Sequence, residues 1–172
     1  MQYVAIPYAS FHASAKLKYW AGNILKEQKL TVNSYNKHSN FIQNNITDIS
    51  INDLTVQNFS GASGNAHAGI YGNLSNDNLT IDNVAILDNL GGSGFYANGP
   101  VDGVTINNCM VSGHTVGARG IVIWNGLKEN ITFTNNMVSN NSCCGIELQD
   151  GDADGVLIEG NNVTVTTGDS GM

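Results

Sequence analysis

The chain has 172 residues, of which 41% are hydrophobic and only 12% charged, and its net charge is −7. That length suits one domain with a continuous core, the acidic balance excludes a nucleic-acid binder, which needs a basic face for phosphate, and no apolar run approaches the roughly 18 residues of a membrane span. Asn occurs 25 times and Gly 20 times, a composition that suits a turn-dense β architecture and argues against a helical bundle.

In chain order, residues 1–45 form an N-terminal segment, either one or more irregular coils or a cap. They carry five Lys and one Glu, for +4, whereas residues 46–172 carry Arg119 and Lys128 against thirteen acids, for −11. Such a surface does not attract a polyanionic sugar by bulk charge; a metal or local cations must intervene. Ser14–Leu30 reads as an amphipathic helix capping the open end of a repeat array, unless the N-terminal segment is instead built of short strands of irregular coils. Lys29-Leu-Thr-Val32 and Phe41-Ile42 are further short strand candidates. Residues 1–15 lack a basic region followed by a long apolar stretch, so no secretory signal is visible.

Residues 46–172 hold a ladder of five units: Ile49-Ser-Ile51…Val56, Leu79-Thr-Ile81…Ile86, Val104-Thr-Ile106…Val111, Ile131-Thr-Phe133…Val138 and Val156-Leu-Ile158…Val163. Their apolar residues fall at offsets 0, +2 and +7, and successive starts lie 30, 25, 27 and 25 residues apart. Self-similarity at this period marks a repeat architecture. Each unit is too small to bury its own apolar face, so stacked neighbours must cover it. Asp53, Asn83, Asn108 and Asn135 share offset +4, and Asn136 and Asn161 share +5. Asn tolerates left-handed backbone and suits a sharp bend, and stacked amides can bond from coil to coil. The first four units close with Gly69-Ile70, Gly94-Phe95, Gly120-Ile121 and Gly145-Ile146. Here Gly gives a close approach and the next residue re-enters the core.

The run NITFTNNMVSNN…GIEL, from Asn130 to Leu148, resembles the consensus coil of the right-handed parallel β-helix (pectate-lyase-like) superfamily, and the resemblance covers about residues 46–165. The expected fold is therefore all-β, a right-handed parallel β-helix solenoid of at least five coils, with a possible short N-terminal helix. Tyr3-Val-Ala-Ile6-Pro7 is similar to the opening strand of that superfamily, although the turn glycine after the proline is replaced by Tyr8. The resemblance implies a secreted or surface protein, so the missing signal suggests a fragment of a longer chain. It does not fix function, because the same coil carries lyases, hydrolases, epimerases, tailspikes and adhesins.

Outward-facing residues must then carry function. Aligning the Gly-apolar strands puts Tyr71, Tyr96, Val122 and Glu147 in one outward column and Asn73, Asn98, Trp124 and Gln149 in the next. Aromatic faces beside amides suit a sugar chain, which assigns Tyr71, Tyr96, Asn98, Trp124 and Gln149 to substrate binding; plain ladder packing of the tyrosines is the alternative. A second constellation is Glu147-Leu-Gln-Asp150-Gly-Asp152-Ala-Asp154-Gly155. Carboxylates at alternate positions resemble the start of a Ca²⁺ loop, but Asn161 stands where such a loop needs a bidentate Glu. Asp150, Asp152 and Asp154 are thus either a Ca²⁺ site or a bare Asp-Gly turn.

Lyases of this fold use Arg or Lys as base with Ca²⁺ acidifying the sugar proton, which makes Arg119, Lys128 and Glu147 the catalytic candidates by resemblance. Gly113-His114-Thr115 is similar to the Gly-His-Gly of polygalacturonase-like hydrolases, yet their Asn-Thr-Asp, Asp-Asp and Arg-Ile-Lys motifs have no counterpart here. The plainer reading of His114 is a turn residue in column with Asn89 and Asn141. The three cysteines give no disulfide framework; Cys109 reads as a buried thiol, and the vicinal Cys143-Cys144 as structural. Seven Asn-x-Ser/Thr sequons arise from composition alone. Two functions follow as expectations: a protein that binds a uronan-type polysaccharide and cleaves it as a lyase, or a non-catalytic solenoid such as a tailspike, adhesin or structural repeat. The last coil lacks a polar cap, so either the natural chain continues, the favoured expectation, or that edge self-associates.

Overall fold

A computed structural model describes residues 14–21, 24–31, 48–57, 68–73, 76–89, 92–114 and 117–164, with side-chain surroundings from residue 48 onward. Among these, every regular element is a strand, and no helix is long and apolar enough to cross a membrane. The Tyr3–Pro7 and Phe41-Ile42 strands, along with His12, His38 and His67, lie outside the described residues.

The chain forms β1 (Ser14–Ala21), β2 (Ile24–Thr31), β3 (Ile49–Gln57), β4 (Ile70–Asn73), β5 (Asn76–Leu87), β6 (Phe95–Asn98), β7 (Val101–Asn107) and β8 (Met110–Ser112). It continues through β9 (Ile121–Trp124), β10 (Lys128–Glu129), β11 (Thr132–Thr134), β12 (Met137–Ser139), β13 (Ile146–Gln149), β14 (Ala153–Asp154), β15 (Leu157–Glu159) and β16 (Asn162–Thr164). From β3 onward all pairing is parallel between corresponding strands of successive units, which is a parallel β-solenoid. One wall is the four-stranded sheet β13-β9-β6-β4, and the rest belongs to a 12-stranded sheet. The expected register is the observed one: Ile49 pairs with Leu79 and Leu79 with Val104, while Thr132 lies between Thr105 and Leu157.

The described solenoid makes about three turns, fewer than the five expected. Five unit starts enclose only four intervals, and most of the first return (58–67) falls outside the described residues. The alternative of a helix over 14–30 is also corrected. β1 and β2 pair antiparallel along their whole length, and β1 pairs antiparallel with β3 through Leu17–Ile51 and Lys18–Ser50. Backbone pairing thus covers the edge that β3 would otherwise leave open.

Burial follows the 0, +2, +7 pattern. Ile81, Ile86, Val104, Ile106, Val111, Ile131, Phe133 and Val138 are all 0% exposed, while Val156 and Ile158 of the last described unit are 38% and 37% exposed. The bends follow the Asn pattern. Asp53, Asn83, Asn108 and Asn135 all have φ between 54° and 56°, the left-handed region that short polar side chains tolerate. Stacked side chains bond across rungs, as in Asn83 Nδ2 to Asp53 Oδ1 at 2.7 Å and Asn130 Nδ2 to Asp102 Oδ1 at 2.8 Å. The +5 column forms an internal ladder. Asn136 Oδ1 accepts from the Cys109 amide, and Asn136 Nδ2 donates to Ile106 O and Asn161 Oδ1, each at 2.9 Å. Cys109 itself is buried, and desolvation pushes its thiol up to about 11.

Candidate functional site

Period-2 alternation turns one side of each closing strand into the core. Ile70, Phe95, Ile121 and Ile146 point inward, so Tyr71, Tyr96, Val122 and Glu147 align on the outer face, with Asn98, Trp124 and Gln149 two residues on and Asn73 in backbone register with Asn98. Tyr71 and Tyr96 stack with ring centroids 5.5 Å apart and planes 2° from parallel, and Trp124 follows at 6.5 Å, tilted by 46°. The Arg119 guanidinium lies over the Trp124 ring, 5.0 Å from its centroid, and Arg119 Nε donates to Glu147 Oε2. Arg119 precedes the glycine that admits the chain to the wall, and its amide donates to Ser93 Oγ at 3.3 Å.

The tyrosines are not an open platform. Packed with Ala68, Val122 and Trp124, they are only 9% and 7% exposed, and burial raises both phenols above their ordinary pKa of 10.0. Asn98 is engaged as well, its Oδ1 accepting from Asn125 Nδ2 at 2.8 Å. Trp124 is partly exposed, as are Arg119 and Glu147, with side chains 15% and 23% exposed. Beside Trp124 in register, Gln149 Oε1 is buried with no hydrogen-bond partner among the described residues.

Lys128 and the acidic turn stand elsewhere, at the corner after the closing strand. Lys128 shares a column with Val101 and Ala153 and is 1% exposed. Its Nζ donates to Gly126 O at 2.8 Å and Asp150 O at 3.1 Å. Desolvation pushes this ammonium below its ordinary value, against the charges of Asp150 and Asp152. Asp150, Asp152 and Asp154 are exposed, and Asp150 takes the bend at φ 52°. Among the described residues no group of three or more His, Cys, Asp or Glu is placed to hold a metal ion. The arrangement therefore brings Arg119, Glu147, Trp124, Gln149, Tyr96 and Tyr71 together and leaves Lys128 and the three aspartates apart from them. The Arg119–Glu147 pairing itself was not read from sequence, which named both residues as separate catalytic candidates.

His114 is 0% exposed in a column with Asn89 and Asn141, its Nδ1 lying 3.4 Å from Asn89 O. Desolvation lowers its pKa below 6.5, opposed by hydrogen bonds to Asn89 and Ile86 and by the Asp88 charge. The unfolded chain therefore binds the proton more readily. Stability is complete above the unfolded pKa and falls as pH drops below about 6.5, by up to about 1.4 kcal/mol per pH unit. Urea titrations between neutral and mildly acidic pH should show this slope, and His114→Asn should flatten it.

Comparison with protein-family models, curated proteins and solved structures gives no match. Fold and surface chemistry alone define the class, a parallel β-solenoid.

Proposed function

We propose that this chain is a polysaccharide-binding β-solenoid that takes uronan-type chains on the outer face of β4, β6, β9 and β13. What carries the reading is the partly exposed indole of Trp124 with the Arg119 guanidinium beside it on the same outer face. An indole offers a pyranose ring a broad apolar surface together with one polar N–H. Arg119 is the cation of this face, and a guanidinium suits a uronate carboxylate. Binding without cleavage is favoured over the lyase reading. Lys128 is buried and donates to two carbonyls, and Arg119 is held by Glu147, so neither stands as a poised base. A Ca²⁺ ion at Asp150, Asp152 and Asp154 belongs to that lyase reading. A tailspike- or adhesin-like role outside the cell goes with binding alone.

Titration calorimetry with oligogalacturonate and oligo-alginate tests this. Trp124→Ala should weaken binding at least about thirtyfold, the loss of an interface anchor worth about 2 kcal/mol. Failure of the unsubstituted protein to bind any uronan would overturn the reading.

A further inference from the structure

We propose that Cys143 and Cys144 are a two-electron redox pair that closes to a vicinal disulfide, with a low-molecular-weight disulfide such as oxidised glutathione as the oxidant. The pair lies in the turn between β12 and β13, and both residues are partly exposed. The two thiols are in hydrogen-bond contact. The neighbouring rung fixes the backbone on both sides of their peptide: Cys143 N donates to Ala118 O at 3.0 Å and Gly120 N donates to Cys144 O at 2.8 Å. The ladder thus fixes the peptide that links the two thiols against the rung that carries Arg119. The third thiol cannot compete, since Cys109 is buried in the interior and donates to Asn107 O at 3.1 Å.

Adjacent Cα atoms across a trans peptide are about 3.8 Å apart, short of the roughly 4.4–6.8 Å that disulfides usually span. The closed ring is therefore strained and easily reduced, the property of a regulatory disulfide rather than a structural one. The Cys143 thiolate attacks one sulfur of the oxidant, forming a mixed disulfide and expelling one small thiol. Cys144 then attacks Cys143 Sγ and expels the second. The two cysteines lose two electrons and two protons, and the oxidant leaves as two thiols. Desolvation and the Cys143 contact push the Cys144 thiol up to about 12, so closure is slow near neutrality and quickens with pH. Cys144 lies one rung from Arg119, and the Glu147 charge acts on its thiol. Closure therefore replaces two S–H groups beside the ion pair of the outer face. The pair stands whether or not that face binds sugar.

The intact protein is incubated with oxidised glutathione at mildly alkaline pH. The expected result is a mass lower by two hydrogens, one thiol remaining after unfolding, and a mapped link between Cys143 and Cys144. Reduced glutathione should reopen it. Cys144→Ser should halt at a stable glutathione adduct on Cys143. Retention of all three thiols, a stable adduct or covalent dimer on the unsubstituted protein, or a link through Cys109 would each overturn the proposal.

Discussion

Ile106→Asp is expected to leave no cooperatively folded protein. Ile106 is 0% exposed and is stacked between Ile81 and Phe133 in the same interior column. Removing a buried isoleucine costs about 2–5 kcal/mol, and an unpaired buried carboxylate adds several more. Together these approach the whole stability of a domain, about 5–15 kcal/mol. The effect belongs to the column rather than to the sequence neighbourhood. Met110→Asp, four residues on, changes a side chain that is 43% exposed and should stay within about 0.5 kcal/mol of the parent. Circular dichroism and urea titration of the two variants check both halves, and similar stabilities would contradict the assigned interior.

Gly120→Ala should destabilise by about 3 kcal/mol or more, at or beyond the upper end for overpacking. A Cβ there would stand 2.5 Å from Gly145 O and 2.8 Å from Asn141 Nδ2, and closer still to Val138 Cγ1. The carbonyl belongs to the adjoining rung and accepts from Ile121 N at 2.8 Å, so it cannot withdraw without breaking the ladder. In melting temperature the loss is about 6–12 °C at this chain length. Gly117 separates crowding from backbone strain. Its φ is +59° but a Cβ would meet nothing within 4 Å, so Gly117→Ala should cost only the left-handed penalty of about 1–2 kcal/mol. Equal losses at the two positions would rule out the close approach.

The wall and the bends were legible in the sequence because both obey strict local rules. Apolar residues at 0, +2 and +7 must share an interior, and a repeated Asn or Asp at +4 satisfies a recurring left-handed bend with φ near 55°. The N-terminal hairpin was not read, although local signals for it are present. Lys16-Leu-Lys18 alternates as a strand does, and Gly22-Asn23, the two residues between β1 and β2, have the composition of a two-residue hairpin loop. Helical and strand periods compete over so short a stretch, and the pairing with β3 that decides between them is non-local. The site was legible as columns but not as contacts. Register placed Tyr71 beside Tyr96 and Trp124 beside Gln149, whereas burial of the rings depends on packing that spacing does not encode. Lys128 shows the same limit. It stands in register between Val101 and Ala153, and the apolar Val101 in that column was the available sign that the position faces inward. The vicinal thiols read as structural because their place against the rung holding Arg119 exists only once the coils stack.

The sign of one change tests the outer-face assignment most directly. Glu147 holds Arg119, so a uronate carboxylate must compete with it for the guanidinium. Calorimetry of Glu147→Gln with oligogalacturonate should show binding tightened by about tenfold, the worth of one charge-assisted hydrogen bond of about 1.5 kcal/mol. Unchanged or weaker binding in that variant would contradict Arg119 as the carboxylate partner and this face as a uronan site.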